Sequence, residues 1–285
     1  MLARVYNWFD RTILELGREF RLSYLPPLMV YVAYGVSGLT AIVGTFFVKD
    51  YLGLSAEFLA ALGFWAGIPW ALKMPLGHLV DLIWRHKAGL VYLGACLTAA
   101  SLLIMVGLLA APDSMRGFMP VEAWFVLSTL LAPVGFVVQD VVADAMTVEA
   151  VPLLDQEGHP FPAGTRRLMH TTMQTLGRVA IIGGTVFVAL LNVFMFAGVE
   201  ALDEQQKLQI YIRIYEIALI IPVVSVAGVL LSGFHTRREH RRLRSHGIDA
   251  PTAMEKIHGQ VERTPPTWRI LGGSLVFVIS TITMG

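Results

Sequence analysis

Long runs without a single charge constrain this chain more than any other feature. Residues 22–48, 58–72, 88–112, 123–139, 179–199, 218–234 and 270–285 contain no Asp, Glu, Lys or Arg. A helix rising 1.5 Å per residue needs about 20 largely apolar residues to cross the roughly 30 Å hydrocarbon layer. Six runs reach that length once their polar-tolerant ends are added; the seventh is cut off at Gly285. The residues are 55% hydrophobic and 15% charged, whereas soluble domains carry about a quarter charged residues. No strict alternation suggests a transmembrane barrel. The expectation is an all-α integral membrane protein.

The charges sort by side. With the N-terminus in the cytoplasm, inner segments hold Arg4, Arg11, Arg18, Arg21, Arg85, Lys87, Arg166, Arg167 and a cluster from Arg237 to Arg269, while outer segments hold only Lys49, Arg116 and Lys207. That asymmetry satisfies the positive-inside rule. Residues 1–21 mix arginines with apolar residues and lack a cleavable signal, so they read as an amphipathic cytoplasmic helix or a solvated lead-in. Residues 22–234 then form six crossings, residues 235–267 a basic cytoplasmic linker interrupted by Pro251, Pro265 and Pro266, and residues 268–285 the start of a seventh helix. Anionic lipid headgroups are a second use for such a linker. Six helices, a linker and an abruptly ending seventh suggest the first half of a twelve-helix carrier, each half holding two inverted three-helix repeats. An inner or plasma membrane is the expected location, and a monomer the expected state.

Three places carry charge too deep to be incidental. In PWALKMPLGHLVD, residues 69–81, Lys73 ends an uncharged run and stands between Pro69 and Pro75. It lies about 12 Å along the axis before Asp81, too deep to reach the headgroups comfortably. A cation at that depth belongs to a cavity or a partner. In QDVVADAMTVE, residues 139–149, Asp140 and Asp144 are four apart and share a helix face. Asp140 reads equally as a proton-coupling group or as the counter-ion of Lys73 or Arg178; Glu149 reads as a solvated helix end. In TMQTLGRVAIIGG, Arg178 lies near the midplane of the fifth crossing with Gln174 one turn before it, and Gly177, Gly183 and Gly184 would admit a neighbouring backbone. Crossings 2 and 5, equivalent in the proposed repeats, thus each hold one deep cation. With Asp140 as the only deep acid, the surplus positive charge suits an anionic solute, since arginine grips carboxylates and phosphates in a fork. Arg213 and Glu216 read as an intrahelical pair and His170 as an interfacial residue, while Asp81 beside Arg85, His86 and Lys87 could lock helix ends in one state of alternating access. The lone Cys96 offers no disulfide framework or thiolate metal site, and nothing calls for a cofactor, metal or nucleic acid.

GHLVDLIWRHK resembles the loop 2–3 signature of the major facilitator superfamily through Gly77, Asp81, Arg85 and Lys87, although Leu82 stands where that signature continues with arginine. FFVKDYLGLSAEFLAAL and IPWALKMPLGHLVD resemble the folate–biopterin transporter family, with Met74 in place of the proline after the lysine. QDVVADAMTVE is similar to the fourth helix of that family and equally to the muropeptide permease and acetyl-CoA transporter families. The resemblance covers roughly residues 46–178. It implies a non-enzymatic secondary transporter of an anionic metabolite, with Lys73, Asp140, Arg178 and Gln174 for binding or coupling, Gly77, Asp81, Arg85 and Asp144 for gating, and a proton as coupling ion. Two rivals stand beside it. Asp140 and Asp144 have the spacing with which membrane prenyl- and phosphatidyl-transferases hold Mg²⁺, but no second such pair occurs. A non-transporting assembly factor on a transporter fold is the other. A retinal protein would need a lysine in the last helix, which has none.

Overall fold

The computed structural model describes residues 15–47, 55–155, 159–245 and 268–284. Described residues are almost entirely helical, and six helices are long and apolar enough to cross a membrane. Crossing 1 comprises α1 (Leu25–Gly35) and α2 (Ala41–Phe47) joined by a 3-10 turn, and crossing 2 comprises α3 (Ala56–Ala71) and α4 (Lys73–Leu82). Crossings 3, 4 and 5 are the single helices α5 (Lys87–Ala110), α6 (Val121–Ala150) and α7 (Ala163–Met195). Crossing 6 divides into α8 (Glu204–Ala218) and α9 (Ile220–Ser245), and α10 (Trp268–Met284) packs on crossing 2.

Local chemistry sets the ends and breaks. Ser55 caps α3 by accepting the Phe58 N–H at 3.1 Å, and Asp203 with Gln206 forms a reciprocal capping box on α8. Crossing 2 breaks at Leu72. Its N–H turns back to the Pro69 carbonyl at 3.1 Å, and Pro75 has no N–H with which to continue the ladder. Lys73 is the next residue.

The main packing partners have a simple order. Crossing 1 packs on 4, 5 and 6; crossing 4 packs on 1, 2 and 3; crossing 3 packs on 6. Exchanging 1 with 4, 2 with 5 and 3 with 6 maps this list onto itself. Glycines set two of the contacts. A Cβ on Gly35 of α1 would run into the Ile181 carbonyl oxygen of α7, and one on Gly184 would lie 2.9 Å from Gly35. Where α5 meets α6, a Cβ on Gly94 would lie 2.6 Å from the Gly135 carbonyl oxygen. Beside that contact Ser101 and Ser128 exchange hydrogen bonds onto each other's carbonyls at 2.8 and 2.9 Å.

The core has two apolar clusters along the bundle. One gathers Leu39, Leu108, Phe125 and Ile214; the other gathers Tyr24, Val91, Val142 and Met173. Among these apolar residues Thr98, Gln139 and Asp140 are also buried, each at most 4% exposed. Residues 1–14 and 246–267, which hold most of the expected N-terminal helix and linker, lie outside the described residues. Helix α9 runs to Ser245, eleven residues into the segment read from sequence as linker.

Candidate functional site

The break at Leu72 opens the site. Lys73, first residue of α4, sends its ammonium to α6, where Nζ lies 2.6 Å from Asp140 Oδ2 and 3.0 Å from Asp144 Oδ2. The two acceptors differ: the Asp140 side chain is 5% exposed and that of Asp144 49%. From crossing 1, Tyr31 donates its hydroxyl to Asp144 Oδ1 at 2.6 Å. The Tyr31 ring rests on Gly177 of α7, where a Cβ would stand 2.7 Å from Cε2. One ionic knot therefore joins crossings 1, 2 and 4, with crossing 5 behind the tyrosine.

An aromatic layer lies one turn away. Trp70 is three residues before Lys73, Phe136 four before Asp140, and Tyr34 three after Tyr31, so helical geometry carries the same three crossings into it. The Tyr34 and Trp70 ring centroids are 5.3 Å apart, and Tyr34 and Phe136 meet edge-on at 6.4 Å. Tyr34 also lies within electrostatic reach of Asp140 and Lys73. These three rings line a cavity of about 640 Å³ between crossings 1 to 4 and crossing 6, whose other walls are largely apolar, with Leu62, Met105 and Phe125, and include the hydroxyls of Thr98, Ser101 and Ser128. That volume is typical of small-molecule sites. Beside it Gln139, 3% exposed, donates to Thr98 Oγ1 at 3.2 Å and to the Gly135 carbonyl at 3.0 Å.

The structure brings Lys73, Asp140 and Asp144 together. Asp144, expected in a gate, sits in the knot beside Asp140. Arg178 and Gln174 are one turn apart on an exposed face of α7; neither lines the cavity, and Arg178 forms no ion pair among the described residues. Among the described residues the charge beside the cavity is thus one ammonium against two carboxylates, without the surplus of cations expected. Gly77 faces Val141 of α6 at ordinary contact distance, Asp81 is exposed with no ion pair among the described residues, and the Arg85 side chain is outside them. Arg213 and Glu216 are both exposed and unpaired with each other, so the intrahelical pair does not form.

Glu149 requires a correction. It forms a salt bridge with Lys87, joining the end of α6 to the start of α5, with side chains only 17% and 13% exposed. The Lys87 ammonium also lies 3.6 Å from the centroid of the Trp84 ring. Sequence reading missed this clasp, and missed Tyr31, Tyr34, Trp70, Phe136 and Gln139. For Trp70, Phe136 and Gln139 the available signal was helical register, each standing three or four residues from Lys73 or Asp140, or beside one; Tyr31 and Tyr34, on a crossing without charge, carried no such signal.

No family profile and no solved structure matches the chain. A folate-biopterin transporter of Synechocystis sp. is 29% identical to it over 145 residues, covering 50% of this chain and 27% of that protein. The matched region thus spans about a quarter of the length of that curated relative. Six membrane-length helices and this likeness make the chain an integral membrane protein, similar over half its length to a transporter.

Proposed function

We propose that the chain is the six-helix half of a secondary transporter of the major facilitator type, moving a small anionic metabolite together with a proton taken up at the Lys73 site. The observation that carries this reading is an ammonium held between two carboxylates next to a largely apolar cavity with several hydroxyls in its wall. With both carboxylates ionised, the knot carries one net negative charge, which a single proton neutralises. Protonation of Asp140 or Asp144 also releases one of the two acceptors that occupy Lys73. A carboxylate or phosphate of the solute then competes for the ammonium, whose side chain is 41% exposed. Proton and anion thereby favour the same state, as symport requires.

The likeness to a folate-biopterin transporter supports a folate- or pterin-like solute, and the aromatic layer of Tyr34, Trp70 and Phe136 offers flat faces to such a ring. The exchange symmetry of the packing partners supports two inverted three-helix repeats. Arg178 and Gln174 lie on crossing 5, where a second half would complete the chamber. A Mg²⁺-dependent transferase is less well supported, because the Lys73 ammonium lies between the carboxylates that a metal would need.

The test is uptake of labelled folate, biopterin and a muropeptide by proteoliposomes of the full-length protein, with and without an inward proton gradient. Acid-driven uptake is expected, with Asp140→Asn abolishing its dependence on the gradient and Arg178→Gln abolishing uptake. Gradient-driven uptake unchanged in Asp140→Asn overturns the coupling role. Absence of uptake for all three solutes overturns the substrate class.

A further inference from the structure

Helix α9 does not end where its apolar sequence ends. It continues unbroken through HTRREHRRLRS, residues 235–245, with Arg237, Arg238, Arg241, Arg242 and Arg244 all exposed. At about 100° per residue, the exposed apolar stripe of α9, which includes Val223, Leu230 and Phe234 at 60–63% exposure, continues onto Arg237, Arg241, Arg244 and, at its edge, Arg238. The opposite side carries Leu243, 8% exposed, and Glu239, which pairs with Arg242 at 3.5 Å. The exposed apolar face therefore becomes cationic with no turn between.

Height fits as well as direction. Arg237 stands about 5 Å and Arg241 about 10 Å beyond Phe234 along the axis, and the headgroup zone adds roughly 5–7 Å to each side of the hydrocarbon layer. Arginine stems bend back over several ångströms to keep their heads in that zone. A guanidinium there meets lipid phosphates, which it can grip through two N–H groups.

We propose that Arg237, Arg238, Arg241 and Arg244 form a docking strip for the phosphates of anionic lipids at the arginine-rich end of the bundle. The strip anchors the end of crossing 6, already packed on crossings 1 and 3, to the bilayer surface. It rests on the membrane-spanning fold and is independent of what the protein transports, so failure of the uptake assay leaves it standing.

Native mass spectrometry of the full-length protein in neutral detergent, titrated with phosphatidylglycerol or phosphatidylcholine, tests it. The wild type is expected to bind phosphatidylglycerol at least about tenfold more tightly, at roughly fivefold per arginine near a charged surface before screening. R237Q/R238Q/R241Q/R244Q should reduce that preference to near unity, the corresponding four-lysine variant should retain most of it, and Arg242→Gln should leave it nearly unchanged. Should the four-glutamine variant fail to fold, Arg241→Gln alone should weaken phosphatidylglycerol binding severalfold. A wild type without preference, an unchanged Arg241→Gln, or complete displacement of the lipid by equimolar inorganic phosphate overturns the proposal.

Discussion

Removing Lys73 would strand Asp140, which is 4% exposed and takes its ion pair from that ammonium. Leaving one member of a buried pair uncompensated costs about 3–5 kcal/mol, whereas replacing both members by neutral groups is often tolerated. Lys73→Met is therefore expected to destabilise the protein by about 3 kcal/mol, and Lys73→Met/Asp140→Asn to recover most of that. Denaturant titration at neutral pH measures both, and a double variant no more stable than the single one refutes the pairing. Uptake separates from stability here. Both variants should lose roughly ten- to hundredfold in rate, the worth of a charged hydrogen bond made only to the solute. Lys73 and Asp140 were legible in the sequence because a charge inside an apolar run has few places to go. Tyr31 was not. Its role depends on the glycine behind it on α7, 146 positions later, and helical periodicity gives a residue's face without naming the neighbour on that face.

At the level of helices, the adjacent Gly183 and Gly184 make a direct comparison. A Cβ on Gly184 would meet the backbone of Gly35 at 2.9 Å, while one on Gly183 meets nothing within 4 Å. Backbone atoms cannot swing aside like a flexible side chain, so Gly184→Ala should cost about 1–3 kcal/mol through overpacking of crossings 1 and 5. Gly183→Ala should be neutral or slightly stabilising, since alanine favours helix by up to about 1 kcal/mol. Thermal unfolding in detergent would reveal the difference, and equal shifts in the two variants would contradict the crossing. The number and sequence order of the helices were legible from uncharged length alone. Their breaks at Leu72 and Leu219 were less so. Pro69 and Pro75 mark a weak ladder, but which turn gives way depends on where Lys73 finds its carboxylates. Arg178 shows the same limit. Its depth in the sequence suggested membership of the central charge cluster, whereas α7 turns Gly177 inward and leaves Arg178 exposed.

Across the whole bundle, crossings 2 and 5 do not pack on each other and flank the pair formed by crossings 1 and 4. This arrangement leaves a face on which α7 exposes Arg178 and Gln174 beside apolar residues such as Val179 and Ile182. An arginine near the hydrocarbon midplane is too costly to leave facing lipid, so this face is expected to border water or a second six-helix unit. Cysteine labelling distinguishes the two sides. In a background with Cys96, itself exposed on α5, replaced by serine, Arg178→Cys and Gln174→Cys should react with a charged, membrane-impermeant thiol reagent. Ile182→Cys, one turn further on, should react at an intermediate rate if the chamber extends along α7. Phe234→Cys, on the outer stripe of α9, should react at least about tenfold more slowly than Arg178→Cys, because a thiol in hydrocarbon forms little of the reactive thiolate. An Arg178→Cys as unreactive as Phe234→Cys would place that arginine against lipid and remove crossing 5 from the chamber. The Lys73 knot would then stand as the charged site among the described residues.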